Sequence, residues 1–218
     1  LMILSLPLIL LFTYQANVLS TEHSFFNIRF VDVLMGYILI SAGSLNYSQF
    51  LYSWDSSYFD FILCAPEFKQ RYLLSKFWLL AAMHVLFGLL ASLAFVLIGK
   101  NMFLPFFLSL ILFNVGFFSH LHLLGATLNN RYLDLSKSQM MNYQGTSGSM
   151  YFLPLLYFSF PSALFGLFYL LGVADYTGFI FGGIGLIGLI LHKHIIRAIA
   201  KILDARKYEM AQGFRKRT

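Results

Sequence analysis

Long apolar runs separated by short polar stretches dominate the chain. Six runs approach or exceed the length of a membrane span, which needs about 20 predominantly apolar residues. In most of them the apolar side chains surround the whole helical circumference and do not alternate, which favours helices over barrel strands. We therefore predict an all-α, polytopic membrane bundle of about six transmembrane helices. The predicted spans are roughly 1–19, 30–51, 74–98, 103–124, 151–171 and 177–196.

Composition supports this prediction and excludes several classes of protein. Of the 218 residues, 59% are hydrophobic and only 11% are charged, whereas an ordinary soluble domain is about 25% charged. A disordered chain, a coiled coil and a nucleic-acid-binding domain with a basic surface are therefore excluded. The one cysteine, Cys64, permits no intrachain disulfide and no cysteine-based metal site.

The chain begins Leu1-Met2, which we interpret as part of a longer or processed protein. Residues 1–13 resemble the apolar core of a signal peptide. No lysine or arginine precedes them, so we interpret them as the remainder of a membrane helix.

The basic residues predict the orientation of the bundle. With a cytosolic N-terminus, all of the 15 lysines and arginines except Arg29 and Lys100 face the cytosol. This bias matches the positive-inside rule, and the reverse orientation would invert it. We predict a multi-pass protein of the bacterial inner membrane with both termini in the cytosol. The predicted units are a six-span domain over 1–196 and a basic cytosolic tail over 197–218.

The segment between the second and third predicted spans carries the most specific pattern. Asp55 or Ser56 is a suitable N-cap for a short helix over 55–65, and Pro66 ends it. Apolar residues at helical spacing predict one amphipathic face, formed by Tyr58, Phe59, Ile62 and Leu63. We predict a short helix at the inner membrane surface, followed by a span that enters the membrane at Lys76. Such a helix can also simply cap the bundle.

This segment resembles the coupling helix of ABC-2-type transporter permeases. The matching residues are Trp54, Asp55, Phe59, Asp60, Leu63, Pro66, Tyr72, Leu73 and Lys76. A narrower resemblance, to the C-terminal half of an uncharacterised family of permease-like membrane proteins from Bacteroidota, covers nearly the whole chain. It is carried by Trp54-Asp55-Ser56-Ser57, Asn142-Tyr143-Gln144-Gly145 and the tail from Arg206-Lys207-Tyr208 to Gly213-Phe214-Arg215.

The resemblance implies a transport subunit without a catalytic site or cofactor of its own. A partner ATP-binding-cassette ATPase would bind ATP and Mg, and its closure would move the coupling helix and export an unidentified substrate. A second permease half and membrane lipids would be further partners, and nucleic acid would not. The implied ATPase contacts are Asp55, Ser56, Ser57, Tyr58, Phe59, Asp60, Phe61, Pro66 and Glu67. A membrane scaffold that keeps this fold without transporting anything is the alternative.

Polar residues inside the predicted spans are candidates for a translocation path, because they are costly in lipid. Ser41, Ser44 and Ser48 share one helical face. The alternative is hydrogen bonding between helices. The candidate path-lining residues are Ser44, Asn46, Gln49, His84, Asn114 and His120.

Small residues predict close helix packing in the sixth span. Gly178 and Gly182 form a GxxxG step, which Gly185 and Gly188 extend along one stripe. Helix backbones can approach each other closely at such stripes. The predicted partner is another helix of the bundle.

Histidines and one serine raise two catalytic or metal alternatives. In His120-His122 and in His192-His194 the two rings are two residues apart and point in different directions on a helix, which disfavours metal binding. We expect His192 and His194 to meet lipid headgroups.

Gly145-Thr146-Ser147-Gly148 matches the GxSG motif of rhomboid-type intramembrane proteases, with His192 or His194 as the base. Ser147 precedes its apolar run and lies in a loop, so we favour a simple connection.

The tail from Arg197 is predicted to continue the sixth span as a basic amphipathic helix that Gly213 ends. Anchoring on anionic lipid, or docking of a partner, is its expected role.

Overall fold

The computed structural model describes residues 30–64, 66–97, 99, 104–133 and 148–216. These residues form helices joined by turns and short irregular connections, with no strand among them. The predicted all-α class is therefore confirmed for this part of the chain. The predicted span 1–19 lies outside the described residues.

Eight α-helices lie within the described residues, and short 3-10 or π segments precede or link some of them. They are α1 Phe30–Ser48, α2 Phe59–Cys64, α3 Pro66–Leu97, α4 Leu104–Phe113, α5 Ser119–Ala126, α6 Gly148–Leu170, α7 Thr177–Ile190 and α8 His192–Arg215. A 3-10 helix, Ser53–Tyr58, leads into α2, and a second one, Ala174–Tyr176, precedes α7. A π-helical turn, Asn114–Phe118, joins α4 to α5.

Two stretches among the described residues are long and apolar enough to cross a membrane. They are Lys69–Leu97 within α3, and Leu104–Ala126, which comprises α4, the π turn and α5. A third is present if Ala174–Ile190 and His192–Arg215, bent by 68°, are taken as one span. Tyr157–Leu170 within α6 is apolar but shorter. The protein is thus a helical membrane protein by length and composition, and the described residues support two or three crossings rather than six.

The glycine stripe lies where two helices pack closely. Gly178 and Gly182 of α7 face Phe106 and Ser109 of α4. Gly185 and Gly188 lie against the backbone of Leu112 and Gly116, so that a Cβ at either glycine would clash with a carbonyl group. Helices can pack at this distance only where side chains are absent.

A glycine also ends α6. Gly172 has a φ of 71°, in the left-handed region that glycine adopts without strain. Its N–H donates to the carbonyl of Tyr169, and the N–H of Val173 donates to that of Phe168. This is the Schellman pattern, and it allows the chain to turn directly towards α7.

The chain bends at Leu191 instead of continuing the last apolar helix in a straight line. α7 ends at Ile190, before the predicted limit of 196, and α8 starts at His192. The prediction that Gly213 ends this helix is wrong, since α8 continues through it to Arg215. Gly213 instead lies where a Cβ would meet the backbone of Asn130. The bend directs α8 across one end of the bundle, where its apolar side chains pack on the other helices.

Candidate functional site

The segment over residues 53–64, which comprises the 3-10 helix and α2, lies at the same end of the bundle as α8. Its Phe59 and Ile62 are buried. Just before it, Tyr52 is also buried, and its hydroxyl donates to the carbonyl of Leu123 at 3.1 Å. Burial raises the pKa of Tyr52 well above its ordinary value. The segment is thus packed against the bundle along one side.

Asp55 joins this segment to the membrane helix α3. Its Oδ2 accepts a hydrogen bond from the Tyr72 hydroxyl at 2.7 Å and lies 2.6 Å from Lys76 Nζ. Lys76 is buried, donates to the Tyr47 hydroxyl at 3.1 Å and lies over the rings of Tyr47 and Tyr72. Since a buried cation is stable only when paired, Asp55 and Lys76 form a firm connection between the 53–64 segment and α3.

A second connection joins the segment to the end of α8. The carboxylate of Asp60 accepts two hydrogen bonds from the Arg215 guanidinium, at 3.0 and 3.1 Å. These bonds and the carboxylate charge raise the pKa of Arg215. Beside them, Phe59 and Phe214 meet edge to face, with ring centroids 4.8 Å apart. α8 is joined in turn to α3 by an ion pair between Asp204 and Lys69.

The opposite side of the 53–64 segment is exposed and partly aromatic. Tyr58 and Phe61 are 70% and 68% exposed, and Ser57, Asp60 and Cys64 are exposed with them. Tyr58 was predicted on the apolar face, but it ends a 3-10 helix. Because that helix has three residues per turn, the α-helical spacing counted from Asp55 does not apply. Trp54 and Ser56 are half-buried.

Pro66 starts α3, directly after the break that follows α2, and Glu67 is in its first turn. The side chains of both residues lie outside the described part of the structure. The nine predicted ATPase contacts therefore fall on three consecutive elements, the 3-10 helix, α2 and the start of α3. They do not form one continuous exposed face, because Phe59 is buried and Asp55 is bonded to α3.

The serines of α1 contact polar groups on α3, on the π turn and on α5. Ser41 donates to Asn114 Oδ1 at 2.8 Å, Ser44 lies 3.3 Å from His84 Nδ1, and Ser48 lies 2.9 Å from His122 Nδ1. We call these six residues the polar cluster. They are all buried. In this conformation the path candidates Ser44, His84 and Asn114 therefore form contacts between helices and do not line an open path.

The remaining path candidates lie elsewhere. Asn46 is exposed, and Gln49 is half-buried with its backbone carbonyl accepting from Asn129 at 3.1 Å. His120 is 2.6 Å from the carbonyl of Gly116 through Nδ1, and its Nε2 is 3.0 Å from His192 Nδ1. His192 therefore contacts another histidine of the same bundle, whereas only contact with lipid headgroups was expected. This contact lies at the bend between α7 and α8.

The protease alternative receives no geometric support. Ser147 lies outside the described residues, and His194 is exposed. Within the described part of the chain, no group of three or more histidine, cysteine, aspartate or glutamate side chains could hold a metal ion.

Sequence reasoning identified Asp55, Asp60 and Lys76 but did not pair Asp55 with Lys76 or Asp60 with Arg215. It also missed the ion pair of Asp204 with Lys69. Tyr47, Asp204 and Arg215 are distant in sequence from the residues that they contact. The pairing of His122 with His84 and of His120 with His192 was also missed. The sequence shows only that charged residues and histidines occur in or beside apolar helices. It does not indicate which of them meet.

Comparison with known proteins identifies the family of the chain and nothing more specific. No curated protein and no solved structure matches it significantly. Residues 2–217 match a family described as a family of unknown function, DUF5687. The match covers both the polar cluster and the 53–64 segment, and the chain therefore belongs to the DUF5687 family.

Proposed function

We propose that the chain is the transmembrane permease subunit of an ABC-2-type ATP-binding-cassette exporter. A separate ATPase binds ATP and Mg and docks on the 53–64 segment. The observation that carries this proposal is an exposed aromatic pair, Tyr58 and Phe61, on a short segment connected to the membrane helix α3 through Asp55. Exposed aromatic side chains at a polar surface favour a protein contact.

The proposed mechanism is mechanical. A partner that binds Tyr58 and Phe61 moves the 53–64 segment. Because Asp55 is bonded to Tyr72 and Lys76, the movement passes to α3. Asp60 passes part of it to α8 through Arg215. The partner then biases the bundle between two conformations, and no bond is broken in this chain.

The proposed topology has six crossings in the bacterial inner membrane, with both termini in the cytosol. The bias of lysine and arginine towards one side supports it. In the structure, Lys69, Lys76 and Arg215 lie at the end where the 53–64 segment meets α8, which we place in the cytosol. A second permease half would complete the translocation path.

Site-specific photocrosslinking tests this proposal. A benzophenone amino acid at position 58 or 61, introduced into the chain in bacterial cells, is expected to crosslink a protein that carries the ATP-binding-cassette sequence motifs. In the purified complex, Phe61→Ala is expected to lower ATPase stimulation at least tenfold. Tyr208→Ala is the matched control, because Tyr208 is 77% exposed on α8 but lies outside the 53–64 segment. Crosslinks to lipid alone, or equal stimulation in both variants, would contradict the proposal.

A non-transporting scaffold is the second candidate, and one observation favours it. The polar cluster forms hydrogen bonds between helices. In this conformation none of its six residues is turned towards a pore. A scaffold would still bind its partner through Tyr58 and Phe61. It would not alter the ATPase rate on reconstitution, whereas a permease would.

A further inference from the structure

Two buried histidines on neighbouring helices each leave one ring nitrogen without a partner. His84 of α3 and His122 of α5 are fully buried. Their rings lie nearly parallel, at 17°, with centroids 5.7 Å apart. The Nε2 atom of neither ring has a hydrogen-bond partner among the described residues. Buried polar atoms in folded proteins nearly always have a partner, so this arrangement requires an explanation.

The serines of α1 indicate which nitrogen carries the hydrogen in each ring. Ser44 donates its hydroxyl hydrogen to the carbonyl of Ser41 at 2.9 Å, and Ser48 donates to that of Leu45 at 3.0 Å. A hydroxyl has one hydrogen, so Ser48 accepts from the Nδ1–H of His122. His84 has a backbone hydrogen bond with Ile40 and its Nε2 has no partner among the described residues, so its hydrogen is also on Nδ1, beside Ser44. By this assignment both rings keep an unshared electron pair on Nε2.

We propose that His84 and His122 bind one monovalent d10 metal ion of the Cu(I) class through their Nε2 atoms. The serine contacts at Nδ1 are the kind of outer interaction that fixes the ring orientation of metal-binding histidines. With metal–nitrogen bonds of about 2 Å, two imidazoles that share an ion have ring centroids no more than about 6.5 Å apart. An arrangement in line lies at this limit, and the observed 5.7 Å is shorter by less than about 1 Å, so we expect the two rings to move apart slightly when the ion binds.

The surroundings select the charge and the coordination number of the ion. Zinc sites need about four ligands, and the described residues offer no third histidine, cysteine or carboxylate at this position. A d10 monovalent ion is stable with two nitrogen ligands in line. A single positive charge is also less costly than a double one within a membrane bundle. The ring of Tyr157 lies edge to face with His122 at 4.5 Å and helps to exclude water.

Silver binding to the purified full chain in detergent tests the proposal, since Ag(I) mimics Cu(I) without changing oxidation state. Cys64 is exposed and would bind silver itself, so the background is Cys64→Ser. Bound silver is counted by mass spectrometry after prolonged incubation in chloride-free buffer and removal of free ion. We expect His84→Gln and His122→Gln each to lower the bound silver by one equivalent per chain. His194→Gln is the matched control, because His194 is exposed, and it is expected to change nothing.

X-ray absorption by the Cu(I)-loaded Cys64→Ser protein keeps the test decisive if a histidine variant fails to fold. Two nitrogen neighbours at a linear two-coordinate site are expected. Sulfur or oxygen neighbours alone would overturn the proposal. Equal silver binding in the background protein and both histidine variants would also overturn it, as would Zn(II) binding at the same histidines with equal stoichiometry.

Discussion

Asp55 shows how one side chain can connect a surface segment to a membrane helix. Its carboxylate meets the Tyr72 hydroxyl and the Lys76 ammonium, and both of these residues belong to α3. The Lys76 side chain is only 11% exposed, whereas that of Asp55 is 28% exposed. The lysine therefore depends on this carboxylate for charge compensation, since water reaches it poorly.

Replacing this carboxylate by an amide should destabilise the protein. We expect Asp55→Asn to lower the free energy of unfolding by about 2 kcal/mol, because the buried Lys76 charge loses its counter-charge. Unfolding by increasing mole fractions of a denaturing detergent in micelles measures this. Glu209→Gln is the control, because its pair with Arg206 is exposed, and we expect a change within about 0.5 kcal/mol. Equal effects of the two substitutions would contradict this account of Asp55.

At the scale of elements, backbone contact and side-chain contact stabilise different helix pairs. α4 and α7 meet along glycines, where a carbonyl group of one helix occupies the space that a Cβ on the other would need. α8 instead docks through aromatic and ionic side chains, including Phe214 against Phe59 and Asp204 against Lys69. The first contact admits no added atom, whereas the second depends on individual side chains.

The α4–α7 contact predicts a strong position dependence among the glycines of α7. We expect Gly185→Ala to lower the free energy of unfolding by roughly 2–3 kcal/mol, because its methyl group would meet the backbone of Leu112, which cannot move aside. A methyl group added at Gly183 would meet no atom of another helix within 4 Å among the described residues, so Gly183→Ala should change stability by less than about 1 kcal/mol. Detergent unfolding compares the two. A larger effect at Gly183 would contradict this packing.

The docking of α8 predicts a local rather than a global effect. Phe214→Ala removes a buried ring and should release the end of α8, at a cost of about 3 kcal/mol for the local contact. We expect faster hydrogen exchange over residues 204–216 and in the 53–64 segment, with α4 and α7 unchanged. Tyr208→Ala, at an exposed position of the same helix, should leave exchange unaltered. Unchanged exchange in both variants would show that the Phe59–Phe214 contact does not hold α8.

At the scale of the whole molecule, one end of the bundle gathers the 53–64 segment, the start of α3 and all of α8. Ion pairs from three parts of the chain meet there, through Asp55, Asp60 and Asp204. The opposite end holds the Gly172 turn after α6. This polarity agrees with the proposed cytosolic position of the charged end.

The natural Cys64 makes this orientation measurable without further engineering. It is the one cysteine of the chain and is exposed on the 53–64 segment. A membrane-impermeant maleimide should label it in inside-out inner-membrane vesicles and at least tenfold less in right-side-out ones. Cys64→Ser is the labelling control. Preferential labelling of right-side-out vesicles would reverse the topology.

The sequence by itself determined the helical membrane class, the short helix before Pro66 and the small-residue stripe of α7. Each of these depends on the chemistry of neighbouring residues along one helix: apolar length, a proline break or glycine spacing. The tertiary structure alone decided which groups meet. The 68° bend at Leu191 brings α8 under the bundle, so Arg215 reaches Asp60 and His192 reaches His120. Periodicity describes the face of one helix, whereas such contacts depend on how two helices from distant parts of the chain are oriented.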